Sequence, residues 1–241
     1  MTTTLKIIDW CNDNKLCLNN NKTVDLKFSP SPATYTSEHS VKFLGILVEP
    51  GLGWKSHIIH LSSVISKNLF TLRFLRNTLG LQSLLSIYYA LIHSHLNYGI
   101  LLWGNHTSTN KLFILQKRAV RILCGVTPGT HCRPLFIKLG ILSLPSVYVL
   151  SCLLHVKNNI SSYTLNLDVH DHFTRYGVNI HNNKNKYKIT QNSFQTVSIR
   201  LYNSLPLNIR EQSFQCFKRQ LRSTLVANPL YSLDDFLKII W

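Results

Sequence analysis

Residues 54–80, WKSHIIHLSSVISKNLFTLRFLRNTLG, decide how this chain folds. Ile58, Leu61, Ile65, Leu69 and Leu72 recur at three- and four-residue intervals, while Lys55, Ser62, Ser66, Lys67 and Arg73 take the other faces. A period near 3.6 belongs to a helix with one buried stripe. Gly80 ends it. Leu84, Leu85, Tyr88, Leu91, Ile92 and Leu96 mark a second helix that stops near Tyr98-Gly99. Leu112, Leu115, Ala119 and Ile122 mark a third, from about Lys111 to Leu123, with Lys117, Arg118 and Arg121 forming a basic ridge on its outer side. Three such helices in succession read as an antiparallel bundle.

Upstream the pattern differs. Leu5, Ile7, Ile8 and Trp10 give an apolar helix face ended by Cys11-Asn12-Asp13-Asn14, and Leu16 and Leu18 point inward from a short extended segment. Asn19-Asn20-Asn21 favours a turn, because Asn tolerates left-handed backbone and bonds its own main chain. Val24, Leu26 and Phe28 alternate with Asp25 and Lys27, a half-buried strand that Ser29-Pro30-Ser31-Pro32 stops. Val41, Phe43, Gly45 and Leu47 read as a second strand, with Gly45 permitting close backbone approach. Downstream, helices are predicted over Pro134–Leu142 and Val147–Val156. A polar stretch follows over 161–192, the best candidate for mobility. Ser193 then caps a helix presenting Phe194, Val197 and Leu201, and a terminal basic helix follows. The predicted fold is mixed α/β but predominantly helical.

Charge indicates the partner. The chain carries 26 Lys plus Arg against 10 Asp plus Glu, a formal net charge of +16 over 241 residues. No carboxylate occurs between Glu49 and Asp168, a span that holds Lys55, Lys67, Arg73, Arg76, Lys111, Lys117, Arg118, Arg121, Arg133, Lys138 and Lys157. Cations without internal counter-charge repel one another, so such a stretch suits a polyanion, with nucleic acid first among candidates. The first eight of these are the candidate backbone contacts. A generically basic composition, rich in Asn and Lys, is the competing explanation.

Other chemistries fit poorly. Leu84–Trp103 has transmembrane length, but His93, Ser94, His95 and Asn97 at its middle would be expensive in lipid, so a buried helix is expected and no membrane partner. Asp168, His170, Asp171 and His172 lie in a short polar run, and His131 and Cys132 with Cys124 lack the paired spacing of a zinc site. The Asp234-Asp235 pair after Tyr231 fits a helix cap with Ser232. The six cysteines are scattered, and Met1-Thr2-Thr3-Thr4 lacks the apolar core of a secretory signal. Reduced thiols in an intracellular, nuclear or cytoplasmic protein are expected, rather than a secreted one.

Several words at ordered spacings resemble the downstream part of a Jockey-like non-LTR retrotransposon reverse transcriptase. They are Trp10, Leu16, Leu18, Asn19, Lys22, Thr23 and Phe28, then Phe43-Leu44-Gly45-Ile46, then Trp54-x2-His57-Ile58. Leu96-x-Tyr98-Gly99-x3-Trp103-Gly104 and Gln116-Lys117-Arg118-Ala119-Val120-Arg121 follow. The last are His172 with Thr174-Arg175, Tyr202-Asn203-Ser204-Leu205-Pro206 with Tyr where the family has Trp, and Phe217-Lys218-Arg219-Gln220-Leu221. The resemblance implies a palm remnant over 1–50, a thumb-like bundle over 51–125, a helical extension over 126–160, the polar loop 161–192 and a C-terminal helical segment over 193–241. It makes Phe43, Leu44, Gly45 and Ile46 a primer-grip-like hairpin and Lys22 the accessory lysine that helps protonate leaving pyrophosphate. No Tyr/Phe-x-Asp-Asp word occurs, and the chain starts nine residues before Trp10, so no catalytic residue is assigned and no enzyme activity is expected. A cofactor, Mg²⁺, would belong only to a complete palm. The expected role is non-specific binding of an RNA or DNA template-primer. The alternative is a decayed element fragment, inert or acting through protein contacts, and the oligomeric state stays open.

Overall fold

A computed structural model describes residues 3–19, 21–24, 26, 28, 40–169, 176–183 and 185–241. The chain divides into two compact units, Met1–His57 and Ile58–Trp241. As its periodicity predicts, it is predominantly helical with a small two-stranded antiparallel sheet.

In the first unit, α1 (Thr3–Asp13) ends where the Asn14 side-chain amide donates to the Trp10 carbonyl at 2.8 Å. The expected Asn turn is present. The Asn19 side chain accepts from the Asn21 N–H at 3.1 Å, and its carbonyl accepts from the Lys22 N–H and the Thr23 hydroxyl. The inward packing expected around it is not found. Trp10 is 59% exposed, and Ile7, Leu16, Val24 and Phe28 are exposed too. Val24, Leu26 and Phe28 lie outside any strand, while Asp25, Lys27 and the Ser29–Pro32 stop fall outside the described residues. An alternating pattern makes a strand only where a second strand meets its backbone groups.

That condition holds further on. Strands β1 (Val41–Phe43) and β2 (Ile46–Val48) pair antiparallel, Val41 opposite Val48 and Phe43 opposite Ile46. The single strand expected through residues 41–47 is therefore folded in half. Leu44 and Gly45 make the turn at φ 46° and 83°. A two-residue turn needing positive φ at both positions matches the twist of its strands, and Gly supplies one of them without strain. Glu49 then caps the next helix. Its carboxylate accepts from the Ser56 N–H at 2.5 Å, at the helix end where a negative charge is favoured. His57 Nδ1 accepts from the Leu47 N–H at 3.3 Å.

The second unit takes in most of α2 (Lys55–Leu75), whose Ile58, Leu61, Ile65, Leu69 and Leu72 are all buried, as the opening stripe requires. Each fully buried side chain of this size contributes about 1.5–3 kcal/mol. The second helix is not uniform. It runs as α3 (Leu81–Tyr88), a π turn (Tyr89–His93) and α4 (Ser94–Asn97), then re-forms after Gly99 as α5 (Ile100–Trp103). The third is α6 (Asn110–Cys124). The Asn68 amide donates to the Leu91 carbonyl at 2.6 Å, tying α2 to the π turn.

Both predicted downstream helices exist, as α7 (Arg133–Leu139) and α8 (Leu144–Asn158). Helix α8 is buried around most of its circumference, against α4, α5, α6 and the two helices over Phe194–Asn203 and Phe214–Ala227. An apolar helix without a polar side belongs in a core. Short α9 (Asn166–Val169) and α10 (Lys188–Gln191) lie in the polar stretch, with a bridge between Leu165 and Ile180. Then come α11 (Phe194–Asn203), α12 (Leu207–Arg210), α13 (Phe214–Ala227) and α14 (Asp234–Leu237). Ser193 caps α11 as read from the sequence, its hydroxyl accepting from the Thr196 N–H at 3.4 Å. The segments expected as bundle, extension and C-terminal part fall largely within this one unit, whose boundary lies at 57/58.

Among the described residues no single helix is long and apolar enough to cross a membrane. The α7–α8 pair passes by length and composition but bends by 58°. The described residues hold no group of three or more His, Cys, Asp or Glu, and His170, Asp171 and His172 lie outside them. Thr174 and Arg175 of the H-x-T-R word lie outside them as well. All six cysteines are free, Cys11, Cys132 and Cys152 being buried.

Candidate nucleic-acid interface

Helices α2 and α6 run side by side in the same direction. Ser62 and Ser66 share a groove with Lys111, Ile114, Leu115 and Arg118, and fourteen residues further along each helix Arg76 meets Gly125. The groove is open, with a volume of about 260 Å³. Leu115 forms its buried floor. Lys111 and Arg118 lie exposed on its rim, separated by seven residues, or about 10 Å of helix. Neither has an ion-pair partner among the described residues, where the sole salt bridge is Arg133–Asp235 at 3.5 Å. The Ser62 hydroxyl donates to the Ile58 carbonyl at 2.7 Å, which leaves the Ser66 hydroxyl and two uncompensated cations on facing helices to hold phosphate oxygens without reading bases.

The eight sequence candidates separate by role. Lys67 and Arg73 are exposed on α2, and Lys55 is exposed at its first residue. Of the ridge expected from Lys117, Arg118 and Arg121, only Arg118 lines the groove. By the helical period the three lie within about 100° of one another on α6, but the Lys117 and Arg121 side chains are engaged by neighbouring parts of the chain, not by the groove. The Lys117 ammonium lies 4.7 Å from the Phe113 ring centroid and 5.6 Å from that of Tyr231. Arg121 Nε donates to the Thr130 carbonyl at 2.8 Å, holding the loop before α7. Arg76 is also structurally engaged. Gly125 closes α6 at φ 66°, and a β-carbon there would collide with the Arg76 guanidinium. A cation at a helix C-terminus stabilises it by about 0.3–1 kcal/mol.

The hairpin presents Phe43 and Leu44 to solvent at its tip and keeps Ile46 buried, with Gly45 in the turn. Lys22 is an exposed turn lysine. The acidic pair near the C-terminus acts as a cap, as its spacing suggests. Asp235 accepts from the Tyr231 N–H at 3.0 Å, and the Ser232 hydroxyl accepts from the Asp235 N–H at 3.3 Å. The Tyr231 hydrogen bond is the main reason the Asp235 carboxyl lies below its usual range, with Ser232 and the Arg133 guanidinium adding to it.

Sequence reading missed Ser62 and Ser66 as groove residues, because hydroxyls on the polar side of a helix carry no signal until a neighbour faces them. It also missed Phe70 and Phe74. These two do have a signature, since both fall outside the Ile58–Leu72 stripe, and they are 72% and 70% exposed. No protein-family model, curated protein or solved structure matches the chain.

Proposed function

We propose that this chain binds the phosphate backbone of an RNA or DNA template-primer through the α2–α6 groove, as the distal part of a non-LTR-retrotransposon-type reverse transcriptase. It grips the strand and carries no polymerase centre. The observation that supports the reading most is the convergence of Ser62, Ser66, Lys111 and Arg118 within a stretch that has no carboxylate from residue 50 to 167. Lys67 and Arg73 extend the same positive surface along α2.

Backbone binding releases counterions, so affinity for a short duplex should fall steeply with salt, with a log–log slope near −0.9 per neutralised phosphate. Replacing Lys111 and Arg118 together by Gln should flatten that slope by about 1–2 units in fluorescence anisotropy titrations. The matched control is Lys218→Gln with Arg219→Gln on α13, which removes equal charge elsewhere. Equal flattening by both pairs would mean diffuse attraction and would sink the groove assignment. With primed RNA, nucleotides and Mg²⁺ the same preparation should extend nothing, and template-dependent extension would overturn the non-polymerising part of the reading.

A further inference from the structure

We infer that the outer face of α2 is a stacking platform for the unpaired bases of a single strand, with Phe70 and Phe74 as its two rings. The inference rests on the backbone-binding reading and specifies which form of nucleic acid this surface takes. A phenyl ring left about 70% exposed gains nothing from the fold, and here there are two, one helical turn apart. Neither ring has a ring partner among the described residues.

Their surroundings identify the occupant. Lys67 precedes Phe70 by three residues and Arg73 follows it by three, so the helical period puts one exposed cation on each side of the aromatic pair. Exposed Ser63, Ser66, Thr71 and Asn77 occupy the same face. The rings are therefore isolated among polar and basic side chains and do not belong to a continuous apolar patch. A protein partner would have to desolvate both cations to reach the rings. A nucleic-acid strand meets the cations with phosphates and the rings with bases.

Spacing favours a single strand over a duplex. Four residues of α-helix rise about 6 Å. Stacked bases lie about 3.4 Å apart, with their faces already covered. Ring positions set about 6 Å apart along the helix axis suit successive bases of an extended strand, one on each ring. Ser66 connects the two features, since it lies on this face and also lines the groove with Lys111 and Arg118. A strand whose phosphates follow the groove thus brings its bases towards Phe70.

The test uses the full chain and three labelled probes of equal length: a single-stranded oligonucleotide, its abasic counterpart and a duplex. Phe70→Ala with Phe74→Ala should weaken single-strand binding by roughly 10- to 100-fold, with duplex binding and the salt slope unchanged. The wild-type chain should hold the abasic strand about as weakly as the double variant holds the normal one. Because both rings are exposed, the variant should keep its circular dichroism melt, and Phe70→Tyr with Phe74→Tyr should restore binding. Equal loss for single strand and duplex, or no loss for either, overturns the inference. Wild-type binding of duplex alone overturns the stacking platform and leaves the groove reading standing. Binding of no probe overturns both. A double variant that binds every probe normally but loses self-association in sedimentation would identify the face as a protein contact.

Discussion

At the scale of single residues, Gln116 bears more of the structure than its place in a basic word suggests. Its side chain is fully buried. Its amide N–H groups donate to the Tyr88 hydroxyl at 3.0 Å and the Leu142 carbonyl at 2.9 Å, and its carbonyl accepts from the Leu144 N–H at 2.7 Å. One amide thus joins α3, α6 and the turn into α8. Burial pushes the Tyr88 phenol far above its ordinary pKa, so it stays neutral and accepts this bond. Gln116→Leu would strand three buried polar groups, each costing about 1–3 kcal/mol when unmet. A loss on the order of 3 kcal/mol or more is expected in urea unfolding, and a loss below about 1 kcal/mol would rule out the keystone role. Leu115, one position earlier, was legible as core from its spacing. The role of Gln116 was not, because its partners at 88, 142 and 144 are distant in sequence.

At the scale of elements, the π turn makes the second helix pH-sensitive. It holds His93 half-buried, its ring 5.1 Å from that of Tyr89 and 6.2 Å from that of Tyr88, with no partner for Nδ1. Burial, and then the positive charge of Arg222, lower its pKa below the ordinary value. The unfolded chain, whose histidine ionises near about 6.5, therefore binds more protons below that pH than the folded one. Stability due to His93 is complete above about pH 6.5 and falls as pH drops towards the lower folded value. His93→Gln should flatten the acid side of the melting-temperature profile between pH 5 and 8 relative to the parent chain. Parallel profiles would exclude this residue as the cause. The long helices were legible because each carries its buried stripe in its own residues. The hairpin was only half legible, since three-residue strands alternate like one longer strand and only the backbone angles at Leu44 and Gly45 divide them. The separate roles of the three ridge cations were hidden for another reason. Lys117 is drawn to Tyr231, a ring more than a hundred residues away that no local pattern announces.

At the scale of the whole molecule, the second unit is closed by its last segment. The Ser143 hydroxyl donates to the Leu230 carbonyl at 2.6 Å, and the Leu230 N–H donates to the Ser146 hydroxyl at 3.1 Å, both within the core at the start of α8. Tyr231 covers Phe113 in an edge-on contact at 5.1 Å. A chain cut after Asn228 would take Leu230 from both hydroxyls, leave them paired to each other at 2.8 Å, and expose the apolar end of α8. It should keep its helical dichroism, lose its cooperative melt and bind a hydrophobic dye, whereas a melt like that of the full chain would refute the closure. The same clasp sets a clock on biosynthesis. Ser146 and Leu230 are separated by 84 residues, so at about 5–20 residues per second the start of α8 waits roughly 4–17 s for its partner to be made. For that interval the serines remain hydrated and the helix that centres the finished core is still half open, so the order of translation decides when this core can exclude water.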